Sequence, residues 1–367
     1  MSEINKVDII VIGAGVIGLA IAKNFAQQKK DVIVIEKENI FGSVTSTRNS
    51  GVIHAGIYYD AGSIKAKFCA KGNRALYDYC QKKNIPHLNV GKFVVATSKD
   101  EIEKLESIYD KAKINEVEGI SRVSKEYVNN QEPLINCYEA LEVKSTGIVD
   151  QQALMRAYVG DLEDNGGMIA YNNEINSIDY KENGYKIKFS DGTIIFTNSI
   201  VNSAGLSADK IAKLIEGFEA SKIPKIYYAK GNYFETNKKL GVKHLIYPIP
   251  TEASLGLHLG LDISMQMRFG PDVEWVNNLD YTVDPNRVNL FYDDIIKYLP
   301  DIRKEDLIPG YSGIRPKLKN QGEGKSDFLI QTSKEHGFKN LVNLFGMESP
   351  GLTSSLVIAD YVSSLLD

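Results

Sequence analysis

The chain has 367 residues, 43% hydrophobic and 25% charged, the balance of a globular protein with room for two packed domains. Its 43 basic and 47 acidic side chains leave a formal charge of −4, too mild for nucleic acid or an anionic membrane as main partner, so a small-molecule ligand is expected. Three cysteines, Cys69, Cys80 and Cys137, are an odd number at spacings that match no zinc site; they read as buried, idle thiols, and no metal is expected.

In chain order, the opening MSEINKVDIIVIGAG lacks the basic start and cleavage site of a secretory signal, and cytoplasmic residence is expected. No stretch is apolar enough to span a membrane, although an amphipathic surface helix leaves peripheral membrane contact open. Val7 to Ile12 is a short apolar run suited to a strand covered on both faces. A helix is predicted from Val16 to Gln28, then a second strand from Asp31 to Ile35, which completes a βαβ unit. Strand-like pieces follow at Lys92–Thr97 and Ser254–Leu261, within segments 81–145 and 221–305 that read as two insertions forming one second domain. From Gly166 to Gly205, turn pairs such as Asn183-Gly184 and Asp191-Gly192 separate short β-rich runs, the pattern of a meander returning to a central strand. The tail from Leu341 reads as a strand followed by a helix of mixed polarity. The first domain then comprises 1–80, 146–220 and 306–367.

Gly13, Gly15 and Gly18 lie between the first strand and first helix, and Glu36 ends the second strand. The first glycine permits a tight turn, the second lets backbone approach a pyrophosphate, and the third lets helix and strand pack closely. The helix N-terminus favours the phosphate charge, and the acid accepts from a ribose hydroxyl. Ile12, Val16 and Lys37 flank these positions. The pattern alone does not choose between NAD and FAD, since both carry the ADP half. Its place in the N-terminal segment, with a second glycine-rich element at the other end of the chain, favours FAD.

Six segments go further: NSGVIHAGIYY at 49–59, VNSAG at 201–205, LGLHLGLD at 255–262, RFGPDVEW at 268–275, SGIRPKL at 312–318 and NLFGMESPGLTSS at 343–355. In this order they resemble the D-amino-acid oxidase superfamily of flavoproteins, and within it the L-2-hydroxyglutarate dehydrogenase/oxidase branch. The resemblance implies an α/β fold, with a doubly wound, Rossmann-like FAD domain and a mixed β-sheet α+β substrate domain. It implies that Thr45, Ser46, Asn49, Ser50 and Gly51 run along the pyrophosphate toward the flavin, that Ile175 meets the adenine, and that Ala204 and Gly205 lie beside the ADP portion. Gly346, Ser349, Gly351, Leu352 and Thr353 would bring a helix N-terminus to the pyrimidine end of the flavin, where its dipole stabilises the negative charge of the reduced ring.

On the substrate side, Arg315 matches the arginine that grips a substrate carboxylate in amino-acid-oxidising relatives. A guanidinium can do so through two parallel hydrogen bonds, and the neighbouring Gly313 and Pro316 suggest a shaped loop. His54 and Tyr59 fall where relatives place residues facing the flavin. A neutral imidazole can accept a hydroxyl proton; the alternatives for His54 are a hydrogen bond to flavin or backbone and covalent attachment of FAD. His258, alternating with leucines, is a second base candidate and equally a buried structural histidine. Arg268, Tyr247 and Tyr233 are candidates to line the pocket. His87, His244 and His336 read as surface residues without partners.

The implied reaction is oxidation of a small carboxylate substrate, a 2-hydroxy acid such as L-2-hydroxyglutarate, with an amino acid or amine as the alternative. Oxygen, a quinone or a partner flavoprotein would serve as electron acceptor. A flavin-holding subunit without chemistry of its own and an NAD dehydrogenase are the competing classes.

Overall fold

In the computed structural model, residues 6–181, 184–250 and 256–366 are described. They form two compact units. Unit 1 comprises residues up to Thr47, Gln151–Tyr228 and Arg315 onward; unit 2 comprises Arg48–Asp150 and Ala229–Ile314. Unit 2 is thus made of two insertions. Residues 48–80 and 146–150, placed with the first domain from sequence, lie in unit 2, because the strand Val52–Ile53 pairs with Gly147–Val149, which also pairs with His87–Leu88, and residues 221–228, placed with the second, lie in unit 1. Residues 306–314 lie there too, as part of a strand that pairs with Tyr227–Glu235.

Unit 1 is built on an eight-stranded sheet among the described residues. The first strand, Lys6–Ile12, lies between Val32–Ile35 and Ile194–Asn202, parallel to both. Met168–Ala170 and Leu341–Phe345 extend the parallel run at either side. Buried strands in such a sheet must be apolar on both faces, and Ile9, Ile10, Val11 and Ile12 are all buried. Ile175–Lys181, Gly184–Phe189 and Ile194–Asn202 form the expected antiparallel meander. Of its turn pairs, Asn183 is outside the described residues, whereas Asp191 caps its own turn by accepting the Thr193 N–H at 2.8 Å. The first helix, Val16–Gln27, packs against the helices Gln151–Glu163 and Gly351–Ser363. Leu19, Ala20, Ile21, Ala22, Phe25 and Ala26 are buried there, so this helix has little solvent face.

Unit 2 holds a nine-stranded mixed sheet among the described residues. Its register decides which side chains share a face, because paired residues point the same way and neighbours along a strand alternate. Leu245, Ile246 and Tyr247 pair with Lys92, Phe93 and Val94, Ile246 with Leu259, Gly260 with Arg268, and Arg268 with Glu235. One face therefore carries Phe93, Val95, Ile246, Leu259, Phe234 and Phe269, buried in the core of the unit. The other carries Lys92, Tyr247, Arg268 and Tyr233. The predicted strand Ser254–Leu261 is shorter, Leu259–Leu261; Ser254 and Leu255 lie outside the described residues, and Gly256 takes a left-handed turn at φ +77. Among the described residues, no helix is long and apolar enough to cross a membrane.

Candidate active site

The unit 1 site is built mainly from backbone. Gly13 adopts φ +100, and a Cβ there would meet the Ser203 carbonyl oxygen at 2.9 Å. At Gly18 a Cβ would fall 1.9 Å from the Gly13 carbonyl oxygen. Both positions exclude a side chain, one by conformation and contact, the other by close approach of helix and strand. Gly15 opens the helix as its N-cap, without a capping side chain of its own, and no acidic residue occupies the first turn. Ser46 stands in, its Oγ accepting the Val16 N–H at 2.9 Å. The Glu36 carboxylate, one residue past its strand, accepts the Ala14 N–H at 2.8 Å and the Glu38 N–H at 2.9 Å. Lys37 is exposed and pairs with Glu38 at 3.4 Å.

Two of the other predicted residues of unit 1, Ala204 and Gly351, lie close to this turn or to the helix that follows it. Ala204 backbone lies 3.1 Å from the Cβ position of Gly13, and Gly205, at φ +56, begins a helical turn. Ile175 is buried at the start of its strand. The last helix begins at Gly351. A Cβ on Gly351 would touch the Ile17 side chain at 3.6 Å, so the first turns of the two helices lie side by side. Thr353, Ser354 and Ser355 are fully buried in that turn, and Ser354 Oγ has no hydrogen-bond partner among the described residues. The side-chain-free turn, the acid beyond the second strand and the two helix N-termini, which favour anions, fit the ADP and flavin halves of FAD. Ile12, Gly13, Gly15, Val16, Gly18, Glu36, Ser46, Ala204, Gly205 and the 346–353 segment are the residues that would hold it.

Arg315 lies in the strand Ile308–Lys317 rather than in a loop. Pro316 is tolerated because, among the described residues, that strand pairs with Tyr227–Glu235 alone, and prolines sit where a ladder bond is not needed. Lys317, two residues on and so on the same face, binds Glu348 at 2.7 Å. This pair, with Glu348 buried and Lys317 partly buried, ties the arginine's strand to the loop before the last helix.

Unit 2 presents side chains instead. Asn49 Oδ1 accepts the Gly51 N–H at 2.8 Å, and Gly51 follows Ser50 at φ +65. His54 is half-buried, and its backbone carbonyl accepts from Asn73 Nδ2 at 3.1 Å. Burial, with the Lys92 charge adding, holds its imidazole down to about 3, so the ring is neutral across the physiological range. Tyr59 presents its backbone carbonyl to Asn115 at 2.8 Å. His258 stacks flat on Tyr247, ring centroids 3.5 Å apart at 3°. Tyr233 stacks on Tyr311 at 4.5 Å. Arg268 donates to Tyr311 Oη at 3.1 Å and pairs with Asp262 at 3.0 Å. His54, Tyr247, His258, Arg268 and Tyr233 thus all belong to unit 2, and the last four gather on its polar sheet face or beside it.

The other histidines depart from expectation. His336 is buried at 6% exposure among Phe218 and Phe338. His244 is partly buried, with Nδ1 2.6 Å from Glu132. His87 Nδ1 lies 2.7 Å from the Ile85 carbonyl. Glu132 and Phe218 come from distant parts of the chain, whereas Ile85 and Phe338 lie two residues from their histidines. All three cysteines are free and buried, as read from sequence. Sequence reasoning missed Lys92, which sits in an apolar run at the parity of Val94 and Ala96; that placement was the available signal.

The family model described as DAO: FAD dependent oxidoreductase matches residues 8–365. An L-2-hydroxyglutarate dehydrogenase, mitochondrial, of Arabidopsis thaliana is 38% identical over 98% of this chain and 83% of its own. A glycerol 3-phosphate dehydrogenase of Caloramator mitchellensis is 31% identical over 98% of this chain and 73% of its own. Among solved structures, the L-alpha-glycerophosphate oxidase from Mycoplasma pneumoniae with FAD bound covers 99% of this chain and 95% of its own, at a TM-score of 0.87 and 23% identity.

Proposed function

The chain belongs to the DAO family of FAD-dependent oxidoreductases, and on that premise we propose that it oxidises L-2-hydroxyglutarate or a close 2-hydroxy dicarboxylate to the 2-oxo acid. The observation that carries the substrate is the 38% identity to an L-2-hydroxyglutarate dehydrogenase across 98% of this chain.

Bound FAD supplies the hydride acceptor at its N5. The chain's residues supply the rest. Arg315 grips the C1 carboxylate through its planar fork and orients the Cα–H. His54, neutral because it is desolvated, takes the hydroxyl proton on an imidazole nitrogen as the Cα–H bond breaks. A low proton affinity makes it a weak base alone, and the substrate's negative charge raises that affinity on binding. His258, ordered by Tyr247, is the second proton acceptor in this reading. The acceptor that reoxidises the flavin is oxygen, a quinone or a partner flavoprotein. Cytoplasmic residence belongs to the same proposal and is tested by fractionation.

The deciding experiment is anaerobic mixing of the yellow holoprotein with L-2-hydroxyglutarate, its D-enantiomer, glycerol 3-phosphate and a panel of amino acids. Bleaching by the first alone is expected. Selective bleaching by glycerol 3-phosphate would favour the second reading, which the 31% identical relative supports; bleaching by amino acids alone would replace both.

A further inference from the structure

Lys92 is 1% exposed, which for an ammonium ordinarily demands a carboxylate partner. Among the described residues it has none. Its contacts are aromatic faces: Nζ lies 4.7 Å from the Tyr247 ring centroid and 5.4 Å from that of Tyr58. Tyr58 Oη is itself buried without a hydrogen-bond partner among the described residues. Tyr247 in turn carries His258 on its own ring. One buried amine thus touches the ring that orders His258 and the ring of Tyr58, four residues along the same loop from His54, whose proton affinity its charge lowers.

The surrounding elements offer no compensating charge. On the helix Ile64–Lys82, Cys69 is the titratable neighbour, and burial pushes its thiol up to about 12, so it stays neutral. Tyr58 and Tyr247 are driven above the ordinary phenol range by burial. From the neighbouring strand Glu139–Val143, Val143 lies opposite Lys92, whereas Glu142 pairs with Phe93 and so faces the other way, taking the Tyr127 hydroxyl at 3.1 Å. His244, close to Gly91, is engaged by Glu132.

We propose that Lys92 is a positioning residue for the oxidation: clasped between Tyr58 and Tyr247 with no carboxylate to answer its charge, it fixes those rings and governs how readily His54 takes up a proton. This rests on the reading of His54 as the base for a 2-hydroxy acid. Burial holds the Lys92 amine down to about 7, so its charge changes near neutrality. While Lys92 is protonated, a proton arriving on His54 would place two like charges in a dry site. Loss of the Lys92 proton removes that opposition, and the reaction runs through the neutral-amine form.

The test is the second-order rate constant for anaerobic flavin reduction by sub-saturating L-2-hydroxyglutarate, which reports the titrating groups of the free enzyme, followed in the holoenzyme from about pH 6 to about pH 8. A midpoint near 7 takes the neutral fraction from about one eleventh to about ten elevenths, so the wild-type rate should rise about tenfold. Lys92→Met should be flat within about twofold, and Lys92→Arg, charged throughout, should stay slow with flavin bound. A Lys92→Met profile parallel to the wild type's would overturn the proposal, whatever its absolute rate. Should the variants lose flavin, wild-type holoprotein labelled with 13Cε-lysine decides: one resonance titrating near 7 supports the proposal, and titration of every lysine in the ordinary range, about 10, overturns it. If no 2-hydroxy acid bleaches the wild-type flavin, the functional reading falls, and the label titration still decides the charge state of Lys92.

Discussion

The two units build their sites from different materials. Unit 1 forms its glycine turn mainly from backbone, with three glycines that admit no side chain or cap a helix bare and the first turns of two helices, and adds the side chains of Glu36, Ser46 and Arg315. Unit 2 uses side chains projected from one sheet face and one loop: Lys92, Tyr247, Arg268, Tyr233 and His54. A backbone cradle fails when a side chain is added. A side-chain cluster fails when one is removed, and its fold survives.

The sharpest way to break this contrast is Gly18→Ala. A methyl group 1.9 Å from the Gly13 carbonyl cannot be relieved by a rotamer change, so the protein should purify with less than about a tenth of the wild-type flavin content. Full flavin content, read from the visible spectrum, would remove the assignment of unit 1 as the cofactor cradle.

Arg315→Ala comes next. Losing one partner of a desolvated charge pair costs about 2–5 kcal/mol, so kcat/KM for a 2-hydroxy acid should fall by about two to three orders of magnitude while the flavin remains. Arg315→Lys should recover only part, because the fork is lost. An unchanged kcat/KM in both variants would free the carboxylate from this residue. His54→Ala should slow flavin reduction about a hundredfold, the low end for general base catalysis, with flavin content and melting temperature near wild type. Equal rates would leave the histidine a structural role.

The smallest effect is on stability. The folded Lys92 value, about 7, lies below the ordinary 10.5, so between them the unfolded chain binds more protons. Stability then rises with pH across that window, and the full penalty of burying the charge is present below it. Lys92→Met removes the penalty and should raise the melting temperature by ~3 °C at about pH 7, with the gain shrinking toward pH 10. A destabilised variant would mean that the ring contacts outweigh the buried charge.

The same contrast explains what the sequence disclosed. Gly13, Gly15, Gly18 and Glu36 act within one local βαβ unit, so their spacing alone carries their geometry. The face shared by Lys92, Tyr247 and Arg268 depends on pairing between strands far apart in the chain, and no local spacing encodes that register. Gly256, turning the chain just before His258, likewise hid why that histidine stacks on Tyr247 instead of alternating along a strand. Pro316 suggested a loop because proline usually breaks ladders; the sheet's connectivity shows instead a strand with one paired side among the described residues.

The pairing of the first helix with the last has a consequence during synthesis. The glycine turn around residues 13–18 is translated before both insertions of unit 2, and the helix Gly351–Ser363, which packs on the helix following that turn, is translated after them. The nascent chain must therefore keep a nearly all-apolar helix shielded through some three hundred residues of elongation. One packing partner of that helix is thus supplied only once Gly351–Ser363 has been made.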